Sequence, residues 1–324
     1  MNRLTALFKP TLFVIFITLV VTGCAEQNTS SEEKPVIGVS IMTATNPFFK
    51  LLGETIADEA GKFGYEAVVV SGDYDISKQK NQVSDFIVQG VDVIVLTPIN
   101  SKSIGTSIAE ANEAGIPVFT ADIAVLAEGV QVVSHIATDN YQAGRVAGQA
   151  MIEGVDTGGA IGILDFAEVE SVILRTRGFI DALNEHEAAT GIKFEVVSRL
   201  PGGAEKAISY RAAQDMLQAH PDLKGIFAIN DPSALGAVAA LEESGREDEV
   251  VVISVDGQPE GRQAVLEGKI YGDAVQYPDK IARTTVQTIM KYVNGEEVPP
   301  EILIPTELYR MEQALQDSSL APLR

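Results

Sequence analysis

The chain has 324 residues, with 24 Lys or Arg against 45 Asp or Glu and a formal charge of −21. A surface this acidic repels phosphate backbones, so no nucleic-acid partner is expected. One cysteine and three histidines exclude a disulfide scaffold and a zinc finger, and no metal site is expected. A composition 46% hydrophobic and 21% charged belongs to a folded protein long enough for two lobes.

Residues 1–23 have the layout of an export signal: Arg3 and Lys9 lead, an uncharged apolar run from Thr11 to Val21 follows, and small residues precede Cys24. That run is about half the roughly 20 residues a membrane-spanning helix needs. Val21-Thr22-Gly23-Cys24 resembles the bacterial lipoprotein signal, which implies that Cys24 is acylated and becomes the new amino terminus. Residues 24–35 then form the acylated Cys and a polar, flexible tether.

From residue 36 onward β-branched runs alternate with amphipathic segments. The runs begin near 36, 66, 92 and 117, and again near 160, 194, 225 and 250, two sets of four at comparable spacing. Near-continuous apolar strands joined by helix-length connections are those of a parallel sheet covered on both faces. Each half is therefore expected to be a doubly wound α/β lobe. Asn46-Pro47 and Asp231-Pro232 read as helix starts, and Gly245 closes the second of these helices.

Ligands of open parallel sheets sit beyond the carboxyl ends of the strands. Asn46 with its aromatic neighbours Phe48 and Phe49 follows the first run, Asp122 the fourth, Asn230 the seventh and Asp256 the eighth. Polar groups from both halves should converge on one cleft, able to bury a small molecule by hinge closure.

Thr45-Asn46-Pro47-Phe48-Phe49, Gly115-Ile116-Pro117-Val118, the stretch from Ser134 to Asn140, Arg175 ahead of Gly178-Phe179, Ala219-His220-Pro221-Asp222, Phe227 to Asp231 and Val255-Asp256-Gly257 together resemble the periplasmic sugar-binding proteins of the ribose-binding type, receptors of bacterial ABC importers. The resemblance implies that Asn46, Asp122, Arg175, Asn230, Asp256 and Gln276 hydrogen-bond sugar hydroxyls while Phe48 and Phe49 contact the ring. It also implies a hinge of three chain crossings near Thr138, Gln276 and Pro305, giving lobes of 36–138 plus 277–305 and 139–276 plus 306–324. A carboxylate accepts from neighbouring hydroxyls, a guanidinium donates through a rigid fork and amides do both, so these residue types suit a polyol.

The sequence departs from the ribose pattern at Ile123, where that family has arginine, and at Ala204 and Val255, where it has aromatic residues. A different pentose, a hexose, a polyol or a less hydroxylated relative is expected, with Glu168 and Glu170 as replacement acceptors. Asp231 reads as a helix cap, His135 as a satisfied structural group, Arg145 as a surface or hinge residue, and His186 and His220 as solvated groups after helix ends.

The function expected is that of a monomeric, lipid-anchored receptor on the extracytoplasmic face of the cell envelope. It would capture a monosaccharide or polyol and present it to the membrane subunits of an ABC importer, with no cofactor and no catalysis. No Gly-x-Ser-x-Gly elbow, phosphate-binding loop or metal-spaced His pair supports an enzyme. A sugar-responsive regulator of the lac-repressor type lacks its helix-turn-helix before Pro35 and is opposed by the export signal. A receptor feeding chemotaxis or a sensor kinase is the alternative to transport.

Overall fold

Aliphatic and β-branched runs become strands wherever Gly, Pro or Asx punctuates them, and the segments between wind into helices. The computed structural model describes Met1 and residues 34–322, so the export segment and Cys24 lie outside the described residues. β1 (Val36–Ile41) leads into α1 (Pro47–Lys62), β2 (Glu66–Ser71), α2 (Ile76–Gln89), β3 (Val93–Leu96), α3 (Gly105–Glu113), β4 (Val118–Ala121) and β5 (Ser134–Thr138). The pattern repeats through α4 (Asn140–Gly154), β6 (Gly159–Asp165), α5 (Glu170–Thr190), β7 (Phe194–Pro201), α6 (Lys206–Ala219), β8 (Leu223–Ala228), α7 (Asp231–Ser244), β9 (Val251–Asp256), α8 (Pro259–Leu266) and β10 (Gly272–Val275). α9 (Pro278–Val293), β11 (Glu301–Ile304), β12 (Leu308–Tyr309) and α10 (Met311–Ala314) complete the described chain.

Two six-stranded sheets result, ordered β11-β5-β4-β3-β1-β2 and β12-β10-β9-β8-β6-β7. Every pairing is parallel except β12 on β10. The two-lobe α/β reading therefore stands, but each sheet has six strands where the sequence pattern gives four. The four additional strands are short or polar: β5 reads Ser-His-Ile-Ala-Thr, β10 is Gly-Asp-Ala-Val, β11 is a part-exposed edge and β12 has 2 residues. None carries an apolar run long enough to register as a strand by itself.

The chain passes between the sheets three times. It leaves β5 for α4, which packs on α5, β9 and β10; it leaves β10 for α9, which packs on α1, β4 and β5; and it leaves β11 for β12. The three passages are tied together: Thr306 N–H donates to Gln142 Oε1 at 3.1 Å, Thr306 Oγ1 donates to the Val275 carbonyl at 2.7 Å, and Asp139 N–H donates to the Ile304 carbonyl at 2.8 Å.

Close packing of α4 on α5 depends on Gly144 and Gly178, where a Cβ would fall 2.0 Å from the Arg175 carbonyl oxygen and 2.2 Å from the Tyr141 carbonyl oxygen. Backbones this near leave no room for a methyl group, and the approach fixes the turn of α5 that carries Arg175. His135 is buried in β5 against Thr120 Oγ1 at 2.9 Å, and Arg145 forms a two-bond pair with Glu185. His186 lies inside α5, half-buried with its ring beside Phe194, because α5 runs on to Thr190 instead of ending before it. The expectation of a solvated histidine after a helix end is corrected there.

Candidate ligand site between the lobes

The residues that follow the strands gather around one narrow cavity. After β1, Asn46 caps α1, its Oδ1 accepting from Phe48 N–H at 2.9 Å. That cap turns Phe48 and Phe49 inward; the rings meet edge to face at 5.1 Å, and both line the cavity. Asp122 and Ile123 enter from the end of β4, Phe166 from β6, Asn230 from β8, Asp256 from β9 and Gln276 from β10, while Arg175 enters from α5. All eight residues singled out from the sequence thus border a single space made by both lobes.

Arg175 is positioned by its own lobe. Its Nε donates to Asn140 Oδ1 at 2.7 Å and one terminal nitrogen donates to the Ile229 carbonyl at 2.9 Å, with Asp256 Oδ1 at 3.9 Å. Asp256 Oδ1 also accepts from Gln276 Nε2 at 2.7 Å. Asn230 caps α7, accepting from Ser233 N–H at 3.0 Å, and donates to the Ala204 carbonyl at 3.3 Å. Asp231, read from sequence as that cap, is instead buried inside the first turn, with its carboxylate on Ser254 and Gln258.

Two acceptors are left open. Asp122 Oδ1 and Gln276 Oε1 are buried with no hydrogen-bond partner, a state that costs about 1–3 kcal/mol per group and that a bound donor would relieve. Burial pushes the Asp122 carboxyl up to about 7, against the pull of Arg175. The Asp256 carboxyl is raised in the same way, with Arg175 and the Gln276 amide opposing. The remaining wall is apolar: Met42, Phe48, Phe49, Ile123, Phe166 and Val172 among others. It offers carbon faces to a ligand whose polar edges are gripped at the ends.

Strain collects at the same place. Five non-glycine residues among those described have left-handed φ: Asp73, Tyr74, Asp122, Ala204 and Asp256, the last at 135°. Asp122, Ala204 and Asp256 line the cavity, and Tyr74 lines an open groove that continues from it past Asn46 and Ala204. The groove is wider, but the buried open acceptors face the narrow cavity, so the narrow cavity is the candidate site.

Contacts across the cleft show the lobes closed. Ser101 N–H donates to the Glu168 carbonyl at 3.1 Å, Glu170 N–H donates to Ser101 Oγ at 2.9 Å, and the Tyr74 and Phe166 rings meet edge to face at 6.5 Å. Glu168 and Glu170 use their backbones in this contact and do not line the cavity, so they are not its replacement acceptors. Val255 is buried in β9 outside the cavity wall, whereas Ile123 and Ala204 belong to it. Phe166 is the aromatic wall residue the sequence reading omits, along with Met42, Val169, Ser171, Val172 and Ile229. Its place just after β6 is the available signal, by the rule that yielded Asp122 and Asn230.

Residues 37–297 match the family model described as a periplasmic binding protein domain. The chain belongs to the periplasmic binding proteins. It is 34% identical to the ribose import binding protein RbsB of Escherichia coli, over 85% of this chain and 90% of that one. It is 31% identical to a D-apiose import binding protein of Paraburkholderia graminis, over 81% of this chain and 83% of that one. A solved ABC transporter solute binding protein from Bacillus halodurans, with bound myo-inositol, superposes with a TM-score of 0.79 at 28% identity, covering 87% of this chain and 96% of that one. The two-lobe, three-crossing architecture is that of the type I periplasmic binding proteins. Like its relatives, this periplasmic binding protein acts by binding and is not an enzyme.

Proposed function

We propose that the protein captures one monosaccharide or polyol in the interlobe cavity and delivers it to the membrane subunits of an ABC importer. The observation that carries this reading is the pair of buried, unpartnered acceptors, Asp122 Oδ1 and Gln276 Oε1, on residues that line the same cavity as Phe48 and Phe49. Hydroxyl donors would satisfy the first and ring C–H faces would cover the second. Asn46, Arg175, Asn230 and Asp256 would bond the remaining hydroxyls, and each unpaired partner in a wrong ligand would cost about 1–3 kcal/mol, which is how such a site selects.

Closure follows from the same geometry. Asp122 and the phenyl rings belong to one sheet's lobe, Arg175 and Asp256 to the other. A ligand touching both gains contacts only when the cleft shuts, so it shifts the population toward the closed form. The moving bodies in this reading are residues 36–138 plus 277–305 and residues 139–276 plus 306–322, turning about the three passages. Import rather than sensing is supported by relatives that are themselves import binding proteins.

Ile123 and Ala204 in the wall make one side of the cavity apolar where the ribose type carries a cation and a ring, which favours a sugar other than ribose. Calorimetry of the full chain with D-ribose, D-apiose, D-allose and myo-inositol tests the reading. Saturable one-to-one binding of at least one is expected; no heat and no thermal shift from any of them would overturn it. Anchoring through Cys24 is tested separately: Cys24→Ser should move the protein from the membrane to the soluble fraction, and retention of the variant on membranes would remove the lipid anchor.

A further inference from the structure

The buried acids do not stop at the cavity wall. Asp231 and Asp273 lie behind Asp256, 2% and 0% exposed, Asp231 in the first turn of α7 and Asp273 on β10 opposite Ser254 of β9. Each takes one backbone amide of the turn that follows Asp256. Asp273 Oδ1 accepts from Gly257 N–H at 3.0 Å, and Asp231 Oδ2 accepts from Gln258 N–H at 2.7 Å. Asp231 Oδ1 accepts from Ser254 Oγ at 2.6 Å, and the Asp231 N–H lies 3.4 Å from Asp256 Oδ2. Asp273 Oδ2 is buried with no hydrogen-bond partner, and because Gly257 and Gln258 are consecutive, the amides held by Asp273 and Asp231 bring the two buried carboxyls side by side. Two ionised carboxylates so placed only accept and repel each other, so one of them keeps a proton.

The turn they hold is under strain. Asp256 has φ 135° and Gly257 φ 66°, and a Cβ at Gly257 would meet Val275 Cγ2 at 2.9 Å. An L-residue persists in such a conformation only where the surroundings over-determine it, and the two carboxyls with their consecutive amides do so here.

We propose that Asp231 and Asp273 share one proton and act as positioning residues, holding the Asp256–Gln258 turn so that Asp256 faces the ligand, and that loss of this proton at alkaline pH loosens the turn and weakens binding. The inference rests on the reading of Asp256 as a ligand residue. Its electrostatic setting agrees: burial raises both acids above the ordinary carboxylate range, the Asp273 and Asp256 carboxyls push Asp231 further up, and for Asp273 the Asp231 side chain pulls down while Asp256 pushes up. The charged and titratable groups around the pair are few. Asp256 on β9 repels both. Arg262 on α8 donates to the Gly257 carbonyl at 2.6 Å and attracts Asp273. Tyr309 on β12 faces Asp273 and donates to Asp317. Arg175 reaches Asp256 from the far side, and Glu205, Lys206 and Glu260 border the open groove that Asp231 also lines. No Lys or Arg among the described residues makes an ion pair with Asp231 or Asp273, which leaves the proton as the compensating charge.

The test uses the full chain and two readouts. The substitution D273N supplies an amide that reproduces a protonated acid, accepting from Gly257 and donating to Asp231, whereas D273A supplies neither function. The native pair binds its proton more tightly than the unfolded chain does, so wild-type stability should fall as pH rises above the ordinary carboxylate value of 3.8 toward about 7 and beyond. Ligand-free thermal midpoints between about pH 5 and about pH 9 should fall less in D273N than in wild type, while D122N removes only the share due to Asp122. In calorimetry with whichever of D-ribose, D-apiose, D-allose and myo-inositol wild type binds, wild-type affinity should drop about tenfold more between about pH 6 and about pH 9 than that of D273N, and D273A should bind about tenfold more weakly than wild type at about pH 6. A D273N midpoint profile that tracks wild type, or wild-type binding by D273A, overturns the proposal. If wild type binds none of D-ribose, D-apiose, D-allose and myo-inositol at any pH, the ligand reading falls, and the midpoint profiles alone decide the shared proton.

Discussion

The two lobes share a strand order but not a chemistry. In the second, Arg175, Asn230, Asp256 and Gln276 are already bonded to one another or to the backbone before any ligand arrives. The first offers two phenyl rings, the Asn46 cap and Asp122, whose Oδ1 has no partner. One half is a bonded network with a single acceptor, Gln276 Oε1, left open, and the other presents its open acceptor on Asp122, outside any such network. On the proposed reading, a polar residue in the second lobe serves both the fold and recognition, while Asp122 serves recognition at the expense of the fold.

The largest effect that sharpens this contrast is expected from Arg175→Ala. It removes the donors to Asn140 and to the Ile229 carbonyl and leaves buried Asp256 without its nearest cation. A stability loss of about 3–5 kcal/mol in denaturant unfolding is expected, with binding lost as well. Asp122→Ala should do the opposite to the fold: affinity falls about 5- to 150-fold in calorimetry, while the thermal midpoint holds or rises because a buried unsatisfied acid has gone. A midpoint that drops as far as that of the Arg175 variant would break the comparison.

A pH series gives a subtler reading of the same carboxyl. Burial raises Asp122 from the ordinary 3.8 to about 7, so the native state holds its proton more tightly than the unfolded chain. Ligand-free wild type should lose stability relative to Asp122→Asn as pH rises across that interval, with no difference below it. Parallel midpoint curves would remove the buried acid from the account. The smallest effect belongs to the contact between lobes: Ser101→Ala deletes the acceptor of the Glu170 amide and should weaken affinity about 2- to 10-fold by disfavouring closure, with the unfolding midpoint nearly unchanged.

Much of this was legible in the residues because parallel sheets concentrate function at strand ends. Asp122, Asn230 and Asp256 each follow an apolar run, so the pattern that reveals the strand also marks the residue after it. Arg175 and Gln276 have no such mark. One sits inside a helix and the other after β10, a strand of 4 residues that contains a buried Asp, and only the family resemblance picked them out. Asp231 was misread because Asp-Pro is a good helix start, yet Asn230 beside it has the extended backbone of a cap and takes the amide. Local pattern cannot tell which of two adjacent Asx residues turns inward when the deciding partners, Ser254 and Gln258, arrive from a later strand and its turn.

The left-handed residues around the cleft carry one more consequence. An L side chain in that region costs roughly 1–2 kcal/mol, and here all five such positions border the cavity or its adjoining groove or, like Asp73, precede a residue that does. Glycine would ease the backbone at any of them, so selection for heat tolerance alone would push these sites toward glycine. The resulting receptors would survive hotter conditions with a slacker grip, and variants that outlast the parent in a heating assay should be sought first among those that have lost their sugar.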